Sequence, residues 1–164
     1  MTRFAPALAL LAGLATLGAA QPPAKKPAPK PLPKELVAAW EKAGHKRGNP
    51  EDPDFPSLHM FLVSWREGEL KKLPAPTVPF AIMLGVPEGA NADAAVKDLL
   101  RFEHLTELYL WGQTLTEAGM KDLARMRQLT CLDLGGVKAP ENSFRQLKDL
   151  KQLKTLVLRR TKVT

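Results

Sequence analysis

The chain repeats in steps of 24. Leu105, Leu129 and Leu153 stand 24 residues apart, as do Leu108, Leu132 and Leu156, and Leu110, Leu134 and Leu158. A second set keeps the same step between these LxxLxL runs: Val96, Met120 and Phe144, then Leu99, Leu123 and Leu147. Stepping back another 24 reaches Leu84 and Val86 in "PFAIMLGVPEGANADAAVKDLLRF", so an ungapped register gives three whole units and one partial one. Leucines two apart point to one side of an extended strand. Met120, Leu123 and Ala124 fall on one face of a helix. Each unit therefore reads as strand, turn, helix and return. No such unit encloses its own apolar side, so it must stack on its neighbours.

A 24-residue LxxLxL period lies in the range of leucine-rich repeats. The expected fold is α/β: a solenoid of about 3.5 repeats, with parallel strands on the concave face, helices on the convex face and a helical and strand cap at the N-terminal end. The stretch "LYLWGQTLTEAGMKDLA" resembles the bacterial ribonuclease-inhibitor-like repeat, whose unit reads roughly "LDLSGTxVTDAGLKxLAxLxxL". Thr116, Glu117, Ala118, Gly119, Leu123 and Ala124 carry the match, and "TKVT" at 161–164 matches the start of the same motif. "KLPAPTVPFAIMLG" is similar to the lead-in of such repeats in exported bacterial proteins. The resemblance covers residues 72–164, and 34–71 more loosely; it implies a protein-interaction module and names no ligand.

Two features depart from that pattern. The turn position often held by Asn carries Gln113, Val137 and Thr161, and valine has no side-chain group to bond the backbone. The second unit has "KAPENSF" where the pattern has "VTDAGL". Pro140 suits a helix start, but this turn is expected to be the least regular.

The chain before the repeats divides by composition. "MTRFAPALALLAGLATLGAA" (1–20) has a positive start, a short apolar core and small residues at its exit, the pattern of a secretory signal peptide cut near Ala20. The protein is therefore expected to be exported: periplasmic, cell-surface or secreted. Residues 21–33 form a Pro/Lys-rich linker that cannot bury a core. Residues 34–76 are expected to cap the repeat domain, which spans 77–164. "PKELVAAWEKAGHKRG" reads as a helix with Leu36, Val37, Trp40 and Ala43 on one face and Gly44 as its stop. "NPEDPDFP" reads as a loop, "SLHMFLVSW" as a strand beside the first repeat, and "EGELKKL" as one helical turn. Arg3, Lys25, Lys26, Lys30 and Lys34 account for five of the seven net positive charges, leaving 19 Lys+Arg against 17 Asp+Glu from residue 35 onward. The basic balance thus belongs mainly to the N-terminal segments. No apolar run reaches the ~18–20 residues of a membrane span.

Catalytic signatures are missing from the sequence. His45, His59 and His104 have no ligand-spaced partners, and no metal motif, GxSxG, phosphate loop or dinucleotide fingerprint occurs. The single cysteine, Cys131, forms no internal disulfide, and no base can be assigned to activate it. The expectation is a non-enzyme with no metal and no cofactor. The residues between the strand leucines should face out of the concave side in three columns: Met83, Glu107, Cys131, Thr155; Gly85, Tyr109, Asp133, Val157; and Pro87, Trp111, Gly135, Arg159. Candidate partner-binding residues are Glu107, Tyr109, Trp111, Cys131, Asp133, Val157 and Arg159, with Tyr109 and Trp111 as exposed aromatic anchors.

The expected partner is another protein, with no nucleic acid. A second reading is a structural envelope component held on anionic wall polymer by the Lys/Pro tail and the basic end, where Arg145, Lys148, Lys151, Lys154, Arg159, Arg160 and Lys162 oppose Asp149. "KQLKTLVLRRTKVT" reads as the strand half of a fourth unit. Leu156 and Leu158 are then expected to lack a covering helix, leaving a strand edge open to self-association, as in a shortened version of a longer repeat protein.

Overall fold

The computed structural model describes residues 30–48 and 59–161. The expected signal segment, most of the expected linker, the expected 49–56 loop, the start of the expected strand at 57–58 and residues 162–164 lie outside the described residues. Among the described residues the fold is α/β. Six strands form one sheet in the order β1-β2-β3-β4-β5-β6: Lys46–Arg47, His59–Ser64, Phe80–Gly85, Leu105–Tyr109, Cys131–Asp133 and Thr155–Val157. β2 through β6 pair in parallel, and β1 pairs antiparallel with β2. The α-helices are α1 (Lys34–Lys42), α2 (Asp93–Leu99) and α3 (Glu117–Leu123). Leu70–Lys72 and Glu141–Asp149 are 3-10 helices.

The core lies between one face of the sheet and the helices. Leu108 and Leu132 from the strands, with Leu110 and Leu134 just past the ends of β4 and β5, meet Val96, Leu99, Met120 and Leu123 from α2 and α3, all buried. Stacking also satisfies the backbone. Ala92 N–H donates to the Thr114 carbonyl at 2.8 Å and Leu115 N–H to Lys138 at 2.9 Å. On the other flank Thr130 N–H reaches Thr106 and Lys154 N–H reaches Thr130, each at 2.8 Å. A buried amide without such a partner costs about 1–3 kcal/mol, so each unit depends on the next for polar bonding as well as for apolar cover.

The ungapped register fails in the first unit. Ile82, not Leu84, pairs with Leu108, and Met83, not Gly85, pairs with Tyr109. The strand step there is 26 residues, although Val96 and Met120 keep 24. The extra residues lie in the longer connection from β3 to α2, which makes its own turn with Ala90 N–H donating to Pro87, and the pairing also shifts at Phe80/Ala81. In the second unit Pro140 caps the 3-10 helix Glu141–Asp149 where the neighbouring unit has an α-helix.

The later units share one turn. Gln113 N–H donates to Leu110, Val137 N–H to Leu134 and Thr161 N–H to Leu158. The third position has φ of 66° at Gly112, 70° at Gly136 and 58° at Arg160. Positive φ at this position of a four-residue turn favours glycine. Val137 needs no side-chain bond, because its side chain is buried and Lys138 N–H donates to Gln113 at 2.9 Å.

The described parts of the segment before the repeats, 34–48 and 59–76, pack on the first unit. Helix α1 ends with Gly44 N–H donating to Glu41 and His45 N–H to Trp40, the paired bonds of a glycine C-cap. Trp40 stacks on Phe61 at 4.3 Å between ring centres, approaches Phe80 and Phe102, and donates its indole N–H to Pro74 at 2.9 Å. Asp98, buried on α2, accepts from Trp65 at 3.2 Å and pairs with Lys71 at 3.3 Å. Arg101 donates to the Leu70 and Leu73 carbonyls at 2.8 Å each.

Candidate interaction surface

The face of the sheet away from the helices carries the candidate residues. Parallel register lines up Met60, Ala81, Glu107, Cys131 and Thr155 in one row. Leu62, Met83, Tyr109, Asp133 and Val157 form the next. Two of the three columns expected from the sequence hold across β4, β5 and β6; the third, Trp111, Gly135 and Arg159, lies just beyond the strand ends. The first members of those two are corrected to Ala81 and Met83, because the first unit is longer.

Tyr109 is not an exposed anchor. It is 7% exposed and packs with Met60 and Ala81, flanked by Met83 and Cys131. Its hydroxyl donates to Glu107 Oε2 at 3.0 Å, and the Cys131 thiol lies 4.0 Å from that hydroxyl. Side chains leaving adjacent strands stand only ~4.8 Å apart, so a tyrosine beside two methionines closes over them instead of projecting.

The Tyr109 hydroxyl and the Cys131 thiol hold their protons more tightly than usual. Burial raises the Cys131 thiol above its usual range, the Glu107 carboxylate adds to the rise, and the Tyr109 hydrogen bond offsets only part of it. Burial and Glu107 likewise push the Tyr109 phenol upward. A nucleophilic cysteine needs the opposite setting, a nearby cation or base.

Asp133 is likewise no free contact. It is 5% exposed, and its Oδ1 accepts from the Gly135 amide at 2.8 Å, which shapes the turn after β5. Glu107 and Val157 are half-buried; Arg159 is exposed.

Trp111 is the aromatic that remains open, at 44% exposure, with its ring edge-on to Tyr109 at 6.0 Å. Among the described residues three large apolar side chains are left exposed, and two of them, Leu62 and Trp111, belong to this face. Trp111 forms a ridge between two hollows. One, of about 290 Å³, is lined by Leu62, Met83 and Gly85. The other, of about 660 Å³, is lined by Asp133, Gly135, Gly136, Arg159 and Arg160. Leu62 is not among the candidates read from the sequence, and Arg160 stands there only in the basic end, not on the strand face. Leu62 was hidden by the undetermined pairing of β2, whereas Arg160 was visible as the residue 24 beyond Gly136.

No group of side chains among the described residues is arranged to hold a metal ion, and no helix there is long and apolar enough to cross a membrane. No family model, curated protein or solved structure matches the chain.

Proposed function

We propose that this chain is an exported leucine-rich-repeat protein of the ribonuclease-inhibitor-like type, a non-catalytic module that binds another protein through the concave, strand-bearing face. The 24-residue recurrence and the side-by-side parallel pairing of strands, with β2 to β5 each followed by an α- or 3-10 helix, support the repeat reading. Residues 34–76 then act as the N-terminal cap, with the Trp40 cluster closing the apolar end of the first unit.

One observation carries the binding reading: Leu62 and Trp111 stand exposed on the same face as Arg159, over a sheet that fixes their spacing. Exposed tryptophan and arginine are the residue types that dominate binding energy at protein interfaces. The test is affinity capture from an envelope extract with wild type and Trp111→Ala. Loss of a captured protein is expected, and equal capture by both would reject the strand face. Tyr109→Ala suits this purpose poorly because it empties a buried site; Tyr109→Phe keeps the packing.

A further inference from the structure

The two hollows beside Trp111 differ in chemistry. Leu62, Met83 and Gly85 on one side present apolar surface. On the other side Arg159 and Arg160 are exposed, and among the described residues neither enters an ion pair. The carboxylate nearest in the lining, Asp133, is buried and turned onto the Gly135 amide. Arg160 also stands in a left-handed conformation, φ 58°, where the equivalent turns have Gly112 and Gly136. An arginine there is strained and a glycine would not be. Strain of this kind is concentrated at positions that bind or switch.

We infer that this face takes an extended acidic segment of a protein partner, an apolar side chain seated between Leu62 and Trp111 and carboxylates on the Arg159 and Arg160 guanidiniums. The inference rests on the reading of the strand face as a protein-binding surface and adds the chemistry and polarity of what binds. Leu62 on β2 and Arg159 just beyond β6 are four strand spacings apart, ~19 Å, which an extended chain crosses in about six residues. Planar guanidiniums match carboxylates with paired hydrogen bonds. Charge complementarity favours an acidic occupant, since Lys151 and Lys154 are exposed just before the same strand.

The test uses a fluorescein-labelled octapeptide with Leu and Phe in its first half and three Glu in its second, and a control with Gln for Glu. Wild-type protein is expected to bind the Glu peptide roughly tenfold more tightly than the control. Arg160→Gly is expected to weaken binding of the Glu peptide roughly tenfold while raising the melting temperature, so misfolding cannot account for the loss. Failure of the Glu peptide to bind, equal binding of the Gln peptide, or undiminished binding by Arg160→Gly would each overturn the inference. Inorganic phosphate or polyphosphate displacing the Glu peptide at equal concentration would overturn the assignment to a protein segment. Extract capture separates the two levels: if Trp111→Ala abolishes it and Arg160→Gly does not, the strand face stands and the acidic segment falls; if neither matters, both fall.

Discussion

Arg160 holds φ at 58° in a turn whose two earlier copies use glycine at 66° and 70°. A side chain in the left-handed region costs roughly 1–2 kcal/mol, and nothing in the core compensates, because Arg160 is exposed. Replacing it by glycine should therefore stabilise the protein by about 1 kcal/mol, less the extra freedom glycine gives the unfolded chain. Chemical denaturation of wild type and Arg160→Gly measures the difference, and a less stable variant would mean the arginine makes a compensating contact. Tyr109 shows the opposite relation between sequence and setting. Its column was legible from the period, but its burial was not, since burial depends on Met60 and Ala81 from strands outside the regular register.

Helices α2 and α3 are joined by one carboxylate. Asp93, in the first turn of α2, accepts from the Thr116 amide at 2.9 Å and from its hydroxyl, while Thr116 accepts from the Ala118 amide at 3.2 Å and so caps α3. Gly119 makes room for this arrangement: a Cβ there would collide with the Asp93 carboxylate and lie 2.9 Å from Leu115 Cδ2. Helix propensity alone favours alanine over glycine by about 1 kcal/mol. The packing should reverse that sign, with Gly119→Ala destabilising by about 1–3 kcal/mol. Asp93→Ala should reduce the penalty in a double-mutant cycle, and additive effects would mean the two residues do not interact. At this scale much was legible. Helix α1 and its Gly44 stop follow from apolar spacing and a glycine, and β2 follows from its run of strand formers. Strand β1 was not legible, because two exposed basic residues carry no pattern until β2 pairs with them. The first unit's register was misplaced because its longer connection shifts the pairing without disturbing the leucine count.

The N-terminal elements and the repeat units share one apolar core, so a group that titrates near Trp40 acts on the stability of the whole fold. His45 is such a group. It is 2% exposed, and among the described residues neither ring nitrogen has a hydrogen-bond partner. It meets the Trp40 ring edge from α1, with Glu69 at 4.0 Å and Arg66 facing it from the segment before Leu70–Lys72. Burial lowers its pKa from 6.5, with Glu69 opposing and Arg66 adding to the fall. The unfolded chain then takes up the proton first. The His45 contribution is complete above pH 6.5 and is lost as pH falls below it, by at most about 1.4 kcal/mol per pH unit. Melting curves at pH 7.5 and pH 5 should converge in His45→Phe relative to wild type; an unchanged gap would remove His45 as the cause. The strand face is the proposed binding surface. The most direct measurement is site-specific photo-crosslinking in envelope extract, with a benzophenone amino acid replacing Trp111 on that face or the exposed Lys121 on α3. A discrete adduct from position 111 and none from 121 is the predicted result. An adduct from 121 alone, or from neither position, would contradict it.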